Sequence, residues 1–259
     1  MATRISDYRP EITEPSRHEL TSIARWLQQN SFTAYLVGGW AVYFHTKSSE
    51  RPPGIIEKAK FEKSRMEDPF GFKVLGSKDI DLVFNNKAEK EEFEKNYCRN
   101  NGFVRRGLFP PKEWVKNAGG TDIILDFDLL ARKWPVLDSI VEWRHLAGHS
   151  QEIWLGEGAE ILVPSKELLL LYKCVALVER TANRHKQGQD LAHLDSKIWK
   201  DANDVLALYD TRINADKLGL LSKETKLEKI RSAAKKIIAA NYESYGFAQY
   251  ASAREFLKE

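Results

Sequence analysis

Apolar residues recur at Leu20, Ile23, Ala24 and Leu27, the i, i+3, i+4, i+7 spacing of one helix face. Ser16, followed three residues later by Glu19, reads as a capping box ahead of them, so the pattern predicts a helix over 16–29. Residues 33–37 read as a short strand that runs into Gly38-Gly39. Residues 40–44 fit helix or strand; strand–GlyGly–helix suits them best, because glycines permit the tight turn. Asp79–Phe84 alternates polar and apolar with period two, which is a strand pattern. A charged helix over 87–101 follows, stopped by Asn100-Asn101-Gly102, and then a short strand over 103–106. Residues 123–130 form a second acid-bearing strand. Residues 151–155 and 159–163 flank Gly156-Glu157-Gly158 as a hairpin.

After Pro164 the texture becomes helical. Ser165 can cap a helix reaching Thr181, and further helices are expected over 197–209, 223–240 and 243–258. No strand signal, repeat or low-complexity run occurs there. The expected organisation is an α/β unit over 1–163 followed by an all-helical unit over 164–259.

Composition adds limits more than direction. A net charge of +3 over 259 residues is too small for a polycationic nucleic-acid coat, although local basic patches remain open. The two cysteines, Cys98 and Cys174, stand apart and lack histidine neighbours, which argues against a disulfide framework or a structural zinc. Few cysteines and a polar N-terminus without signal character suggest the cytoplasm. No apolar run approaches about 18 residues, so no membrane span or membrane partner is expected. Residues 46–72 form a charged insert punctuated by Ser48, Ser49, Pro52, Pro53, Gly54, Pro69 and Gly71. Its Lys58, Lys60, Lys63 and Arg65 could meet a nucleic-acid backbone, as could Arg105-Arg106, but a solvated face is the plainer reading of the insert.

The chemistry starts from the acids. In a strand, residues i and i+2 share a face, so Asp79 and Asp81 project together while Ile80 and Leu82 turn to the core. Two adjacent carboxylates repel, and a bound cation relieves them. Magnesium takes oxygen ligands and often only one or two carboxylates, completed by substrate phosphates. Asp126 and Asp128 also share one face. If their strand lies beside Asp79–Phe84, one of them completes a three-carboxylate cluster able to hold two metals. Gly38-Gly39, at the start of a helix, would let bare backbone N–H groups approach a phosphate. A DxD or a GlyGly alone is weak, since strand-end acids are commonly just solvated; in this order they become specific.

The segments Leu36-Val37-Gly38-Gly39-Trp40, Ser77-Lys78-Asp79-Ile80-Asp81-Leu82 and Leu125-Asp126-Phe127-Asp128-Leu129-Leu130 resemble the DNA polymerase β-like nucleotidyltransferase superfamily. Within it, the AbiEii-type, type IV toxin-like group is most similar. Its Ser or Thr two residues before the DxD corresponds to Ser77. Its helical motifs correspond to Val163-Pro164-Ser165 through Lys173 and Ala176, and to Lys200-Asp201-Ala202-Asn203-Asp204. The resemblance runs from about residue 33 to 209. The gap between Gly39 and Asp79 is longer than usual, and Leu75 stands where an arginine is frequent, with Lys73 or Lys78 as substitutes.

The resemblance implies a mixed-sheet nucleotidyltransferase-like domain followed by a helical domain. It also implies an enzyme that moves a nucleoside monophosphate from an NTP to an acceptor hydroxyl and releases pyrophosphate. Asp79 and Asp81 would ligate Mg²⁺ (or Mn²⁺), with Asp128 preferred as the third acid and Asp126 the alternative. Gly38, Gly39, Ser77, Lys78, Lys173 and Asp201 would bind nucleotide. The acceptor would be an RNA or tRNA 3′ end or a protein. A cognate antitoxin would be a partner if the chain is a toxin of a toxin–antitoxin or abortive-infection system. The competing readings are a transferase acting on an aminoglycoside-like small molecule and a non-catalytic nucleotide-binding protein of the same fold.

Other residues have plain readings beside the chemical ones. From its position alone, Lys173 snorkels to solvent; the resemblance makes it a triphosphate contact. Asp201 and Asp204, three apart on one helix, either orient nucleotide or Lys173, or pair on the surface with Lys197 or Lys200. His145 and His149 are spaced as a metal pair but lack a third ligand, and surface histidines are the better reading. Trp143, Trp154 and Trp199 read as packing residues rather than base-stacking platforms.

Overall fold

The computed structural model describes residues 10–46, 77–107, 113–184, 186, 191–209, 213–244, 247 and 251–258. Most of the charged insert, with Lys58, Lys60, Lys63, Arg65, Lys73 and Leu75, lies outside them.

The first helix, α1 (Pro10–Gln29), buries Leu20, Ile23, Ala24 and Leu27 as its spacing requires. It begins six residues before the expected cap. Ser16 is interior to the helix and wholly buried, where its Oγ accepts a hydrogen bond from Trp40 Nε1 at 3.0 Å. Glu19 accepts from the Tyr97 hydroxyl and from Lys116 Nζ, each at 2.6 Å. The capping-box reading was therefore wrong: the same residue types that cap a helix also satisfy buried donors.

Strand β1 (Ala34–Val37) passes directly into α2 (Gly38–Thr46). β2 (Asp79–Phe84) is followed by α3 (Lys87–Phe93), which Asn86 caps by accepting from the Glu89 N–H at 2.9 Å. The expected helix over 87–101 continues only as a π-helical turn, Glu94–Cys98. β3 (Val104–Arg106), β4 (Glu113–Ala118) and β5 (Thr121–Leu129) follow, then a ribbon of β6 (Lys133–Val136) and β7 (Ser139–Glu142), and the hairpin β8 (Ser150–Gly156) and β9 (Ala159–Pro164). β4, β6 and β7 were not anticipated. β4 buries the consecutive Trp114 and Val115, which breaks the alternation, and β6 contains Pro135.

β3-β4-β5-β2-β1-β9-β8 form one mixed sheet. β2 lies at its centre, antiparallel to β1 and parallel to β5. Behind β9 the described residues are helical: α4 (Lys166–Asn183), α5 (Leu191–Leu208), α6 (Ala215–Glu224), α7 (Glu228–Ala240) and α8 (Ala251–Lys258). Ser165 caps α4 as expected, accepting from the Leu168 N–H. The helix expected over 223–240 starts only at Glu228, because the chain turns at Lys226 with φ 58° and drives Leu227 into the core, and α6 before it was not anticipated. The architecture is thus the mixed α/β sheet followed by helices that the sequence predicted. One buried apolar cluster runs from Leu20 to Phe256 through both halves. No helix among the described residues is long and apolar enough to cross a membrane.

Candidate active site

A cleft lies where the ends of β2 and β5 face α4 and α5. Its lining includes Gly38, Gly39, Ser77, Asp79, Asp81, Asp126, Asp128, Lys173 and Asp201. Nearly all the residues singled out from sequence thus converge. Lys78 lies outside the lining, and its charge acts on Asp122 at the far end of β5.

Strand register sets the acidic side. Asp81 is paired with Asp126, and Val83 with Asp128, in the parallel β2–β5 ladder. Asp79, Asp81, Asp126 and Asp128 therefore share one face, and Asp126 is the acid beside Asp81. Burial, reinforced by the Asp79 and Asp126 charges, pushes the Asp81 carboxyl up to about 6 against the pull of Lys173 and Lys200. Asp126 is raised too, mainly by burial, with Asp128 and Asp79 adding to it. Asp128 lines the same cleft but is engaged there: it accepts from Trp143 Nε1 at 2.7 Å and pairs with Arg132. Trp143 in turn packs edge-on against Tyr172, ring centroids 4.7 Å apart.

Of the two glycines, Gly38 is a steric necessity and Gly39 is a tight fit. Gly38 has φ 68°, and a Cβ on it would lie 1.9 Å from Asp81 Oδ2. A Cβ on Gly39 would lie 3.0 Å from the Ser77 side chain. Ser77 itself is buried, and its Oγ accepts the Asp79 N–H at 3.2 Å.

The opposite side is basic. Lys173 and Arg180 come from α4, Lys197 and Lys200 from α5, and all four line the cleft. Lys173 Nζ lies 2.8 Å from Asp204 Oδ2, as does Lys200 Nζ. Asp201, only 1% exposed, pairs with Arg180 and lies 3.9 Å from Lys173 Nζ. Burial lowers the pKa of Lys197, partly offset by Asp79. Sequence reading missed Arg180 and Lys197 as site residues, and Arg132 and Trp143 as the partners of Asp128. A signal existed: Lys173, Ala176 and Arg180 follow an i, i+3, i+7 face.

The fit to a metal can be judged from the acids. Asp79 Oδ1 is buried and has no hydrogen-bond partner among the described residues. Beside it, Asp81 is electrostatically destabilised as a carboxylate. Both observations are what a cation would relieve. Among the described residues no three His, Cys, Asp or Glu side chains are gathered as a closed metal site. The three-carboxylate cluster expected from the sequence is therefore not gathered as a metal site among the described residues, and the fit to a cation rests on the Asp79–Asp81 pair. His145 and His149 are half-buried rather than exposed; His149 Nε2 lies 3.0 Å from Glu224 Oε1, and His145 Nδ1 lies 3.9 Å from the same oxygen. Of the three tryptophans, Trp154 is exposed and does not pack as expected.

No protein-family model matches the chain, and no curated protein matches it in sequence. Among solved structures, it is similar to an antigenic nucleotidyltransferase-like protein from Paracoccidioides brasiliensis. The identity is 14% and the TM-score 0.43, over 84% of this chain and 90% of that one. It is also similar to the antibiotic-resistance factor ANT(2'')-Ia, at 14% identity and a TM-score of 0.43, over 91% of this chain and 99% of that one. A third likeness is to the lincosamide antibiotic adenylyltransferase LnuA, at 17% identity and a TM-score of 0.39, over 74% of this chain and 94% of that one.

Proposed function

We propose that this chain is a metal-dependent nucleotidyltransferase that moves a nucleoside monophosphate from an NTP to an acceptor hydroxyl. One observation carries the reading: the Asp79–Asp81 pair with Asp126 beside it faces Lys173, Arg180, Lys197 and Lys200 across a single cleft. Carboxylates suit a divalent cation, and the basic wall suits the polyphosphate that such a cation accompanies.

Asp79 and Asp81 would hold Mg²⁺ (or Mn²⁺), which supplies charge neutralisation on the phosphates. Lys173, Arg180, Lys197 and Lys200 bind the β- and γ-phosphates and stabilise the charge that grows on departing pyrophosphate. The N–H groups at the start of α2, bare at Gly38 and Gly39, add to the same phosphate cradle. Asp126, one strand over from Asp81, is placed to orient the acceptor hydroxyl and take its proton. The acceptor oxygen then bonds to the α-phosphorus, the bond from that phosphorus to the pyrophosphate oxygen breaks, and pyrophosphate leaves. Register favours Asp126 over Asp128 in this role, and Asp128 acts as a fixed wall with Trp143 and Arg132. Asp201 serves the nucleotide through Arg180 rather than by direct contact.

The acceptor we favour is an RNA or tRNA 3′ end or a protein hydroxyl. That preference comes from the family resemblance; Arg132, paired with Asp128, and Trp143 add one cation and one aromatic ring to an edge that is otherwise acidic, so a cationic small-molecule acceptor stays the second reading. The AbiEii-type resemblance adds a toxin role with a cognate antitoxin.

Each α-labelled NTP is incubated with the protein, Mg²⁺ and total RNA or lysate. Label should pass to an RNA or protein band, and Asp81→Ala should lower transfer by more than about a hundredfold. Failure of every NTP to bind or donate label would sink the enzyme reading, and a labelled small molecule would reassign the acceptor. Expression of a toxin should slow growth, relieved by Asp81→Ala.

A further inference from the structure

We propose that Asp204 is a positioning residue that gathers the Lys173 and Lys200 ammonium groups into one fixed dicationic clamp for two adjacent phosphates of an NTP. The inference rests on the nucleotidyltransferase reading of the same cleft and adds a device that the reading does not require.

Three observations lead to it. A single oxygen, Asp204 Oδ2, lies 2.8 Å from both Lys173 Nζ and Lys200 Nζ. The two lysines come from different helices, α4 and α5, and both line the cleft. Asp204 is 9% exposed and lies behind them, outside the lining. It therefore acts on a ligand only through the lysines.

Two ammonium groups drawn to one point repel, and the arrangement persists because a carboxylate stands between them. A free lysine has a flexible four-carbon stem and would otherwise swing toward solvent. Ordering both side chains before the ligand arrives removes that entropy from the binding step. Adjacent phosphates carry their charged oxygens close together, so two clustered ammonium groups meet two phosphates at once. Although burial opposes ionisation, the two lysines hold the Asp204 carboxyl down at about 2, so the anchor is charged across the physiological range. Lys197 also lines the cleft, but Asp204 pairs with Lys173 and Lys200, so the clamp is built from those two.

A purely structural Asp204 would tie α4 to α5 and nothing more. The two roles differ in which ligand feels the loss. Isothermal titration with Mg²⁺ and the NTP that wild type binds most tightly is set against titration with the matching NMP, which lacks the clamped phosphates. Asp204→Asn should weaken NTP binding by about 10- to 100-fold and leave NMP binding within about twofold. Asp204→Glu, which keeps the charge, should recover part of the loss. Equal weakening of NTP and NMP, or no change in their ratio, overturns the clamp. If Asp204→Asn does not fold, Asp204→Glu is read in the same way, because its longer stem displaces the ammonium pair; an unchanged ratio again overturns the proposal. Wild type that binds no NTP would overturn the nucleotidyltransferase reading itself, a different result from a wild type that binds NTP with a variant that matches it.

Discussion

On one side of the cleft, Asp79, Asp81, Asp126 and Asp128 stand on short side chains fixed by strand register; on the other, Lys173, Arg180, Lys197 and Lys200 reach in on long side chains from two helices. The acidic side carries unrelieved repulsion at its centre, with Asp79 Oδ1 unpartnered among the described residues and the Asp81 carboxyl pushed up to about 6 by burial and its acidic neighbours. The basic side is neutralised from behind, by Asp204 under Lys173 and Lys200 and by Asp201 under Arg180. One wall thus carries uncompensated repulsion and the other is already held in place. On the nucleotidyltransferase reading proposed above, an NTP with its metal would relieve the first and meet the cations of the second.

The sharpest way to divide the acidic wall is to neutralise its two outer acids separately. Asp126 lies beside Asp81 in register, whereas Asp128 is engaged by Trp143 and Arg132. Asp126→Asn should lower nucleotidyl transfer by about a hundredfold or more with little change in NTP affinity, as expected when a proton acceptor is lost. Asp128→Asn keeps a carbonyl oxygen for Trp143 and should cost no more than about tenfold. Steady-state kinetics on both variants decide it. The reverse ranking would return the third-acid role to Asp128.

The two walls should also have opposite pH signatures in metal-free buffer. An unfolded aspartate titrates near 3.9. Asp81 titrates at about 6 in the fold, so its contribution is fully present below about 4 and is lost as pH rises through 6. The loss is on the order of 2–3 kcal/mol. Asp204 titrates at about 2 in the fold, so its contribution is present above about 4 and is lost as pH falls toward 2, again on the order of 2 kcal/mol. Urea melts from pH 3 to 8 should show Asp81→Asn flattening the upper slope and Asp204→Asn the lower one. If the two variants shift the same limb, the contrast between the walls is wrong.

The acidic wall was legible in the sequence because strand geometry is short-range. Period two fixes which acids share a face, and only the pairing of β2 with β5 was needed to bring Asp126 beside Asp81. The preference for Asp128 over Asp126 went beyond that, since choosing between them needs the register. The basic wall was only partly legible. Lys173 was found through the resemblance, but the Asp204 bridge depends on the relative rotation of α4 and α5, which no local pattern encodes. Ser16 and Glu19 show the converse failure. Their spacing matched a helix cap, yet they serve Trp40, Tyr97 and Lys116 across the fold. Local rules read backbone periodicity well and long-range polar pairing poorly.

The smallest expected effect concerns the turn that joins β1 to α2 against Asp81 of the acidic wall. Gly38→Ala meets two costs: a left-handed φ of 68° and a Cβ placed 1.9 Å from Asp81 Oδ2. The backbone cost alone is about 1–2 kcal/mol. The clash adds to it by displacing Asp81, so transfer should fall as well as stability. Gly39→Ala meets the Ser77 side chain at 3.0 Å, and Gly39 is not among the glycines at positive φ. Both Cβ and Oγ of the buried Ser77 lie at that distance, so the Ser77 backbone must give by a few tenths of an ångström, at a cost of about 1 kcal/mol, the low end of overpacking. Thermal melts of the two variants rank the stability costs, and the NTP affinity of Gly38→Ala tests the link to Asp81. A Gly38→Ala protein that melts lower but binds Mg²⁺–NTP as wild type does would mean that the turn supports the fold without setting the carboxylate, and that the acidic wall is held by strand register alone.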